Sequence, residues 1–199
     1  MLLLTFALAQ LPAVAQAEEA GWPNFTVQPG LQMWTPLYAG NDGSLRPQST
    51  IGGLIKVNYA FTDNLGAHVR GVYGGNKTTD HIPSVDRSFN AWAAGLGLDF
   101  HASIGDRVQW VNTMGLAYGQ NTATVDELEQ PSVTTLGAYF VTGLDITVMG
   151  PMGVWMDWGC QVVGPSFATI PETAGGTEEF EASSWHINAL GAGGMRFAF

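Results

Sequence analysis

Residues 51–73 read Ile51-Gly52-Gly53-Leu54-Ile55-Lys56-Val57-Asn58-Tyr59-Ala60-Phe61-Thr62-Asp63-Asn64-Leu65-Gly66-Ala67-His68-Val69-Arg70-Gly71-Val72-Tyr73. Before Asp63, one phase of a two-residue period carries Ile51, Gly53, Ile55, Val57, Tyr59 and Phe61, and the other carries Lys56, Asn58, Ala60 and Thr62. After Asn64, Leu65, Ala67, Val69 and Tyr73 oppose His68 and Arg70. A period of two marks a strand with unlike faces, and Thr62-Asp63-Asn64 is a tight polar turn, so the segment reads as a β-hairpin. The hairpin's polar phase decides its surroundings. In a soluble antiparallel sheet the wet face would be studded with Lys and Glu. Here it is small and weakly charged, which suits a narrow filled lumen, with the apolar phase turned to lipid.

The same alternation recurs along the chain. Eight strands are predicted, at Asn24–Tyr38, Ile51–Phe61, Leu65–Tyr73, Phe89–Phe100, Val108–Tyr118, Val133–Val148, Gly153–Val163 and Ser184–Phe199. Pro29 and Pro36 make the first the weakest pattern, since proline cannot donate to a ladder. The links alternate. Thr62-Asp63-Asn64, Ala102–Arg107 and Met149-Gly150-Pro151-Met152 are short, whereas Gly40–Thr50, Gly74–Ser88, Gly119–Ser132 and Gly164–Ser183 are long and polar. An even strand number with short turns at one end and long loops at the other describes an all-β, eight-stranded antiparallel up-and-down transmembrane β-barrel.

Composition agrees by exclusion. Of 199 residues only 12% are charged, about half the share usual in a soluble domain. No run approaches the ~20 apolar residues of a membrane-spanning helix. Twenty-two aromatics among 199 residues argue against disorder. One Cys and four scattered His offer no disulfide framework and no zinc spacing, so no metal and no cofactor are expected. Seven basic residues against seventeen acidic ones speak against nucleic acid. At the amino terminus, residues 1–17 form an apolar stretch closing in Ala15-Gln16-Ala17, the small-x-small pattern of an export signal, although no Lys or Arg precedes it. The barrel domain is then 18–199, beginning near Glu18.

Sorting the ionisable residues by phase places Lys56, Arg70 and Arg196 with Asp99, Asp145 and Asp157 in the lumen, a neutral set joined by His68. Lys56 and Arg70 fall at similar heights on adjacent strands, with Asp157 near them, so a buried ionic network is expected to plug the barrel. A proton or solute path through these residues is the alternative. On the outward phase, Phe61 and Phe100 lie near the short turns and Tyr73, Trp92, Tyr118 and Trp185 toward the long loops, the arrangement of two interfacial girdles.

The terminal run from Trp185 to Phe199 resembles the last strand of small Gram-negative outer-membrane barrels, and the segment from Val57 to Gly66 resembles the strand-turn-strand pieces of the OmpA-like, OmpX-like and OmpW-like group. The resemblance implies residence in the cell outer membrane, contact with its lipid and lipopolysaccharide, and an assembly signal at Met195, Phe197 and Phe199 read by the barrel-assembly machinery. It leaves three functions open: a structural or loop-presenting barrel that is not an enzyme, with any protein partner at the loops unknown; an OmpW-like conduit for small apolar molecules, for which Trp34 and Trp155 lie on the inward phase; and a lipid A acyltransferase or deacylase of the PagP-like or PagL-like kind. For the last, the two conceivable sets are Asp80, His81 and Ser84, and Ser184 with His186 in the reverse of the deacylase order. Acidic residues gather in the last two long links, at Asp126, Glu127, Glu129, Glu172, Glu178, Glu179 and Glu181.

Overall fold

The structure, a computed structural model, describes residues 25–39, 49–80, 85–125, 128–129, 132–169, 179–182 and 186–199. Eight long strands follow one another: β1 (Phe25–Ala39), β2 (Thr50–Thr62), β3 (Leu65–Asp80), β4 (Val85–Gly105), β5 (Val108–Val125), β6 (Ser132–Met149), β7 (Met152–Thr169) and β8 (His186–Ala198). Each pairs antiparallel with its sequence neighbour, and β8 pairs with β1 from Thr26 opposite Ala198 to Ala39 opposite His186, which closes the sheet. Among the described residues this closes the barrel wall on itself below Gly75, the condition a sheet must meet to sit in hydrocarbon.

The short turns are built by local chemistry. The Thr62 hydroxyl accepts the backbone N–H groups of Asn64 and Leu65, fixing the first. Gly150 takes a φ of 51° in the third, a conformation that suits a two-residue hairpin and that a Cβ disfavours. Both prolines of β1 are accommodated where the ladder is irregular. The pairing of β1 with β8 shifts register between Pro36 and Tyr38, and it skips from Val27 to Gly30 around Pro29.

The strands are longer than the alternation predicts. β3 runs on through the Gly74–Ser88 link to Asp80, β4 begins at Val85 and ends at Gly105, β5 continues to Val125 and β7 to Thr169. Most of the expected second long loop, much of the third and the start of the fourth are therefore ladder, and the Ala102–Arg107 link shrinks to Asp106 and Arg107. Beyond the girdle, backbone pairing persists with no need for an apolar face. Two short pieces prolong it, Leu128–Glu129 on β5 and Glu179–Ala182 on β7. The proposed export signal at 1–17 lies outside the described residues.

Candidate functional site: the barrel interior

Inward positions alternate along every strand, and the barrel is narrow enough for side chains from non-adjacent strands to meet across it. Lys56 of β2 reaches Asp157 of β7, Nζ to Oδ2 at 3.3 Å, although β1 and β8 stand between those strands. Gln28 of β1 donates to Asp145 Oδ2 of β6 at 2.9 Å. Arg70 of β3 donates to Gln32 of β1 and lies over the Tyr139 ring of β6, 4.8 Å from its centroid. Lys56 and Arg70 are direct register partners. Their like charges are separated in function by different partners, Asp157 and the Trp155 ring (5.5 Å) for Lys56, Gln32 and Tyr139 for Arg70.

A second chain of contacts runs along β3, β4 and β5. His68 Nδ1 meets the Asp99 carboxylate at 3.1 Å, Thr113 donates to Asp99 Oδ1 at 2.6 Å, and His68 Nε2 meets the Tyr139 hydroxyl. Near the carboxyl end, Arg196 Nε approaches Asp145 Oδ1 to 3.0 Å and Nη2 donates to Thr147 Oγ1 at 2.7 Å. The first of these is a close charge contact more than an aligned hydrogen bond, since neither atom meets hydrogen-bond geometry.

Six of the seven residues assigned to the lumen by phase, Lys56, His68, Asp99, Asp145, Asp157 and Arg196, are buried, with Asp99 and Arg196 each 1% exposed. Arg70 is half-buried. The structure joins six of them in three pairs, Lys56 with Asp157, His68 with Asp99 and Arg196 with Asp145, while Arg70 turns to Gln32 and Tyr139. Glycines give these side chains room: a Cβ on Gly97 would stand 2.7 Å from His68 Cε1, and one on Gly115 would stand 2.5 Å from the Tyr139 hydroxyl.

The interior is not polar throughout. One inward position further from the short turns than Lys56 and Arg70 lie Leu54 and Val72, packed with Trp155 and Trp34; Ala117, Tyr139, Val141 and Leu190 form a neighbouring group that also touches Trp34. Trp155 is anchored by its indole N–H, which donates to Met195 O at 3.0 Å. Below this apolar layer, on the short-turn side, is a cavity of about 30 Å³ whose walls include Gln28, Lys56, Asn58, Asp145, Asp157 and Arg196 and which extends to Asp63. That volume accommodates roughly two water molecules. Gln28 Oε1 and Asn58 Oδ1 have no protein partner there.

Tyr139, Gln28, Gln32 and Thr113 complete the network and carry no charge, so sorting ionisable residues by phase passes over them. The alternation itself could have found them: Tyr139 and Val141 share the phase of Asp145. On the outside, Phe61, Tyr73, Trp92 and Tyr118 are exposed and Phe100 is partly so, and Trp92 pairs with Tyr118 at 5.8 Å between ring centroids. Met195 and Phe199 are also exposed, Phe197 is partly buried, and the Phe199 ring stands 6.1 Å from that of Phe25. Trp185 lies outside the described residues, as do His81, Ser84 and Ser184 of the enzyme reading, and no side chain is described for Asp80 or His186. Among the described residues no group of three metal-binding side chains occurs.

The chain matches no protein-family model, and a comparison with curated proteins gives no match in sequence. Solved structures do match it. Neisserial surface protein A aligns over 90% of this chain and 100% of its own, with 16% identity and a TM-score of 0.63. OprG of Pseudomonas aeruginosa aligns over 89% and 97% with 13% identity and a TM-score of 0.54. Ail, the attachment invasion locus protein of Yersinia pestis, aligns over 89% and 100% with 14% identity and a TM-score of 0.52. The chain therefore has the closed, all-antiparallel eight-stranded fold of the small outer-membrane β-barrel proteins.

Proposed function

We propose that the protein is an integral barrel of the cell outer membrane whose interior is plugged, and that it acts through its envelope-spanning wall and its acidic outer loops rather than as a channel or an enzyme. The observation that carries this reading is the set of cross-lumen contacts from Lys56 to Asp157, Gln28 to Asp145 and His68 to Tyr139, capped on the loop side by the Trp34, Leu54 and Val72 layer. The six charged lumen residues sum to zero, and eight strands leave space for side chains and a few waters. Planar-bilayer recordings test it: no discrete ion-conducting steps are expected, and reproducible steps from the folded protein would overturn the plug.

On this reading residues 1–17 are removed on export, and amino-terminal sequencing of the mature protein is expected to begin at Glu18. Met195, Phe197 and Phe199 serve recognition by the assembly machinery. A second reading, a conduit for small apolar molecules, draws on the same apolar layer. It requires faster entry of a small apolar dye into protein-loaded vesicles than into empty ones. The lipid A enzyme has weaker support, and mass spectra of lipid A are expected to be the same with and without the protein.

A further inference from the structure

The outward face of the barrel departs from its apolar character at one place. Below the level of Tyr73, Trp92 and Tyr118, the described strands present aliphatic residues, Met, Ala, Gly, Pro, aromatics and one Cys, with two exceptions, Asn112 and Thr142. These two are opposite each other on β5 and β6. Thr142 Oγ1 donates to Asn112 Oδ1 at 2.9 Å, and Trp110 Nε1 donates to the same oxygen at 3.2 Å. An indole N–H only donates, so it fixes which end of the amide is oxygen. The amide oxygen has both lone pairs engaged, and Nδ2 has no partner among the described residues. Trp158, opposite Thr142, stands edge-on to Trp110 with ring centroids 5.9 Å apart. The patch is thus a donor-only amide beside two indoles.

Depth selects the partner. Asn112 lies opposite Phe100 of the short-turn girdle and four positions along β5 from Val108. With strands tilted as in such barrels this is roughly 10 Å above the turns, where the glycerol esters of the near leaflet lie. An amide N–H facing hydrocarbon without an acceptor is strongly disfavoured. We infer that Asn112, with Trp110 and Trp158, holds a diacyl glycerophospholipid of the short-turn leaflet, an ester carbonyl accepting from Asn112 Nδ2 and the adjoining acyl chain lying against the two indoles. This rests on the membrane reading above. A second copy of the chain is a poorer match, because its own Asn112 offers another donor with its oxygen already taken, whereas an ester carbonyl is acceptor-only.

The test compares a diacyl phosphatidylglycerol with its dialkyl ether analogue, which lacks the carbonyls, as lipids retained by the intact barrel in native mass spectrometry. Wild type is expected to retain the diester roughly five-fold more, the worth of one hydrogen bond, and Asn112→Leu is expected to show no preference. Equal retention of both lipids by wild type overturns the proposal without recourse to any variant, as does a preference that survives in Asn112→Leu. A two-chain species that vanishes in Asn112→Leu assigns the patch to a second copy and overturns it too. Insertion into vesicles, read from the heat-dependent gel mobility of folded barrels, is measured alongside. Failure of wild type to insert defeats the membrane reading itself, which is a different outcome from insertion without lipid preference.

Discussion

Replacing Asp157 by Leu removes the carboxylate 3.3 Å from Lys56 Nζ and leaves an ammonium that is 3% exposed facing the Trp155 ring. At an effective dielectric constant of 20 the lost attraction is about 5 kcal/mol. Leu keeps the branching and the heavy-atom number of Asp, so no cavity is opened and the lost charge partner dominates. Breaking a buried pair in this way costs about 3–5 kcal/mol, whereas exchanging both partners for apolar groups of matching volume is often neutral or stabilising. Asp157→Leu and Lys56→Met alone are therefore each expected to lose stability on that scale, and the double variant to return to within about 1 kcal/mol of wild type or exceed it. The assay is urea unfolding of barrels folded into phospholipid vesicles, followed by tryptophan fluorescence, with the four proteins forming a double-mutant cycle. If the double variant loses the sum of the two single losses, the residues are not coupled and the account of the plug is wrong.

Three further perturbations address other parts of the interior and the wall. Gly115→Ala places a Cβ 2.5 Å from the Tyr139 hydroxyl and 2.4 Å from Leu96 O, and a loss of about 1–3 kcal/mol is expected in the same unfolding assay. Tyr139→Phe keeps the ring under Arg70 but removes the hydroxyl that meets buried His68; about 1–3 kcal/mol should be lost, and an unchanged midpoint would show that His68 does not depend on it. Phe199→Ala affects a ring that is 76% exposed on the outer face, so folding from urea into vesicles should lose no more than the partial transfer of one ring out of water, up to about 2 kcal/mol. In cells the same variant is expected to lower the folded fraction in the outer membrane, measured by gel mobility, and equal loss in both settings would assign Phe199 a packing role instead of a signalling one.

The hairpin at 51–73 is enough to read the architecture, because a wall that faces lipid needs an apolar residue at nearly every second position and confines its turns to polar spacers. The upper ends of β3, β4, β5 and β7 were not legible from the same rule. Gly74-Gly75-Asn76-Lys77-Thr78-Thr79-Asp80 carries no apolar-polar alternation, even though its backbone stays paired to Val85–Ala91. Charge told where Lys56, Asp99, Asp145 and Asp157 point. It could not tell that Leu54, Val72 and Val141 point the same way, since an apolar side chain is as compatible with a filled barrel as with lipid, and the distinction rests on phase alone. Asn112 shows the converse case, a polar residue on the outer phase, whose amide oxygen alone is satisfied by Thr142 and Trp110.

The ring closure between β1 and β8 has a kinetic consequence. Thr26 meets Ala198, Gln28 meets Asp145 across 117 residues and Lys56 meets Asp157 across 101. A partly built sheet would hold Lys56 and Asp145 without those partners, so the charges that stabilise the finished molecule oppose its intermediates. Loop closure must be completed before these contacts contribute, which makes for slow assembly and strong cooperativity. Once the seam has zipped, the same charges hold it shut, and the barrel should leave the membrane by opening at β1 and β8 far more slowly than its thermodynamic stability alone implies.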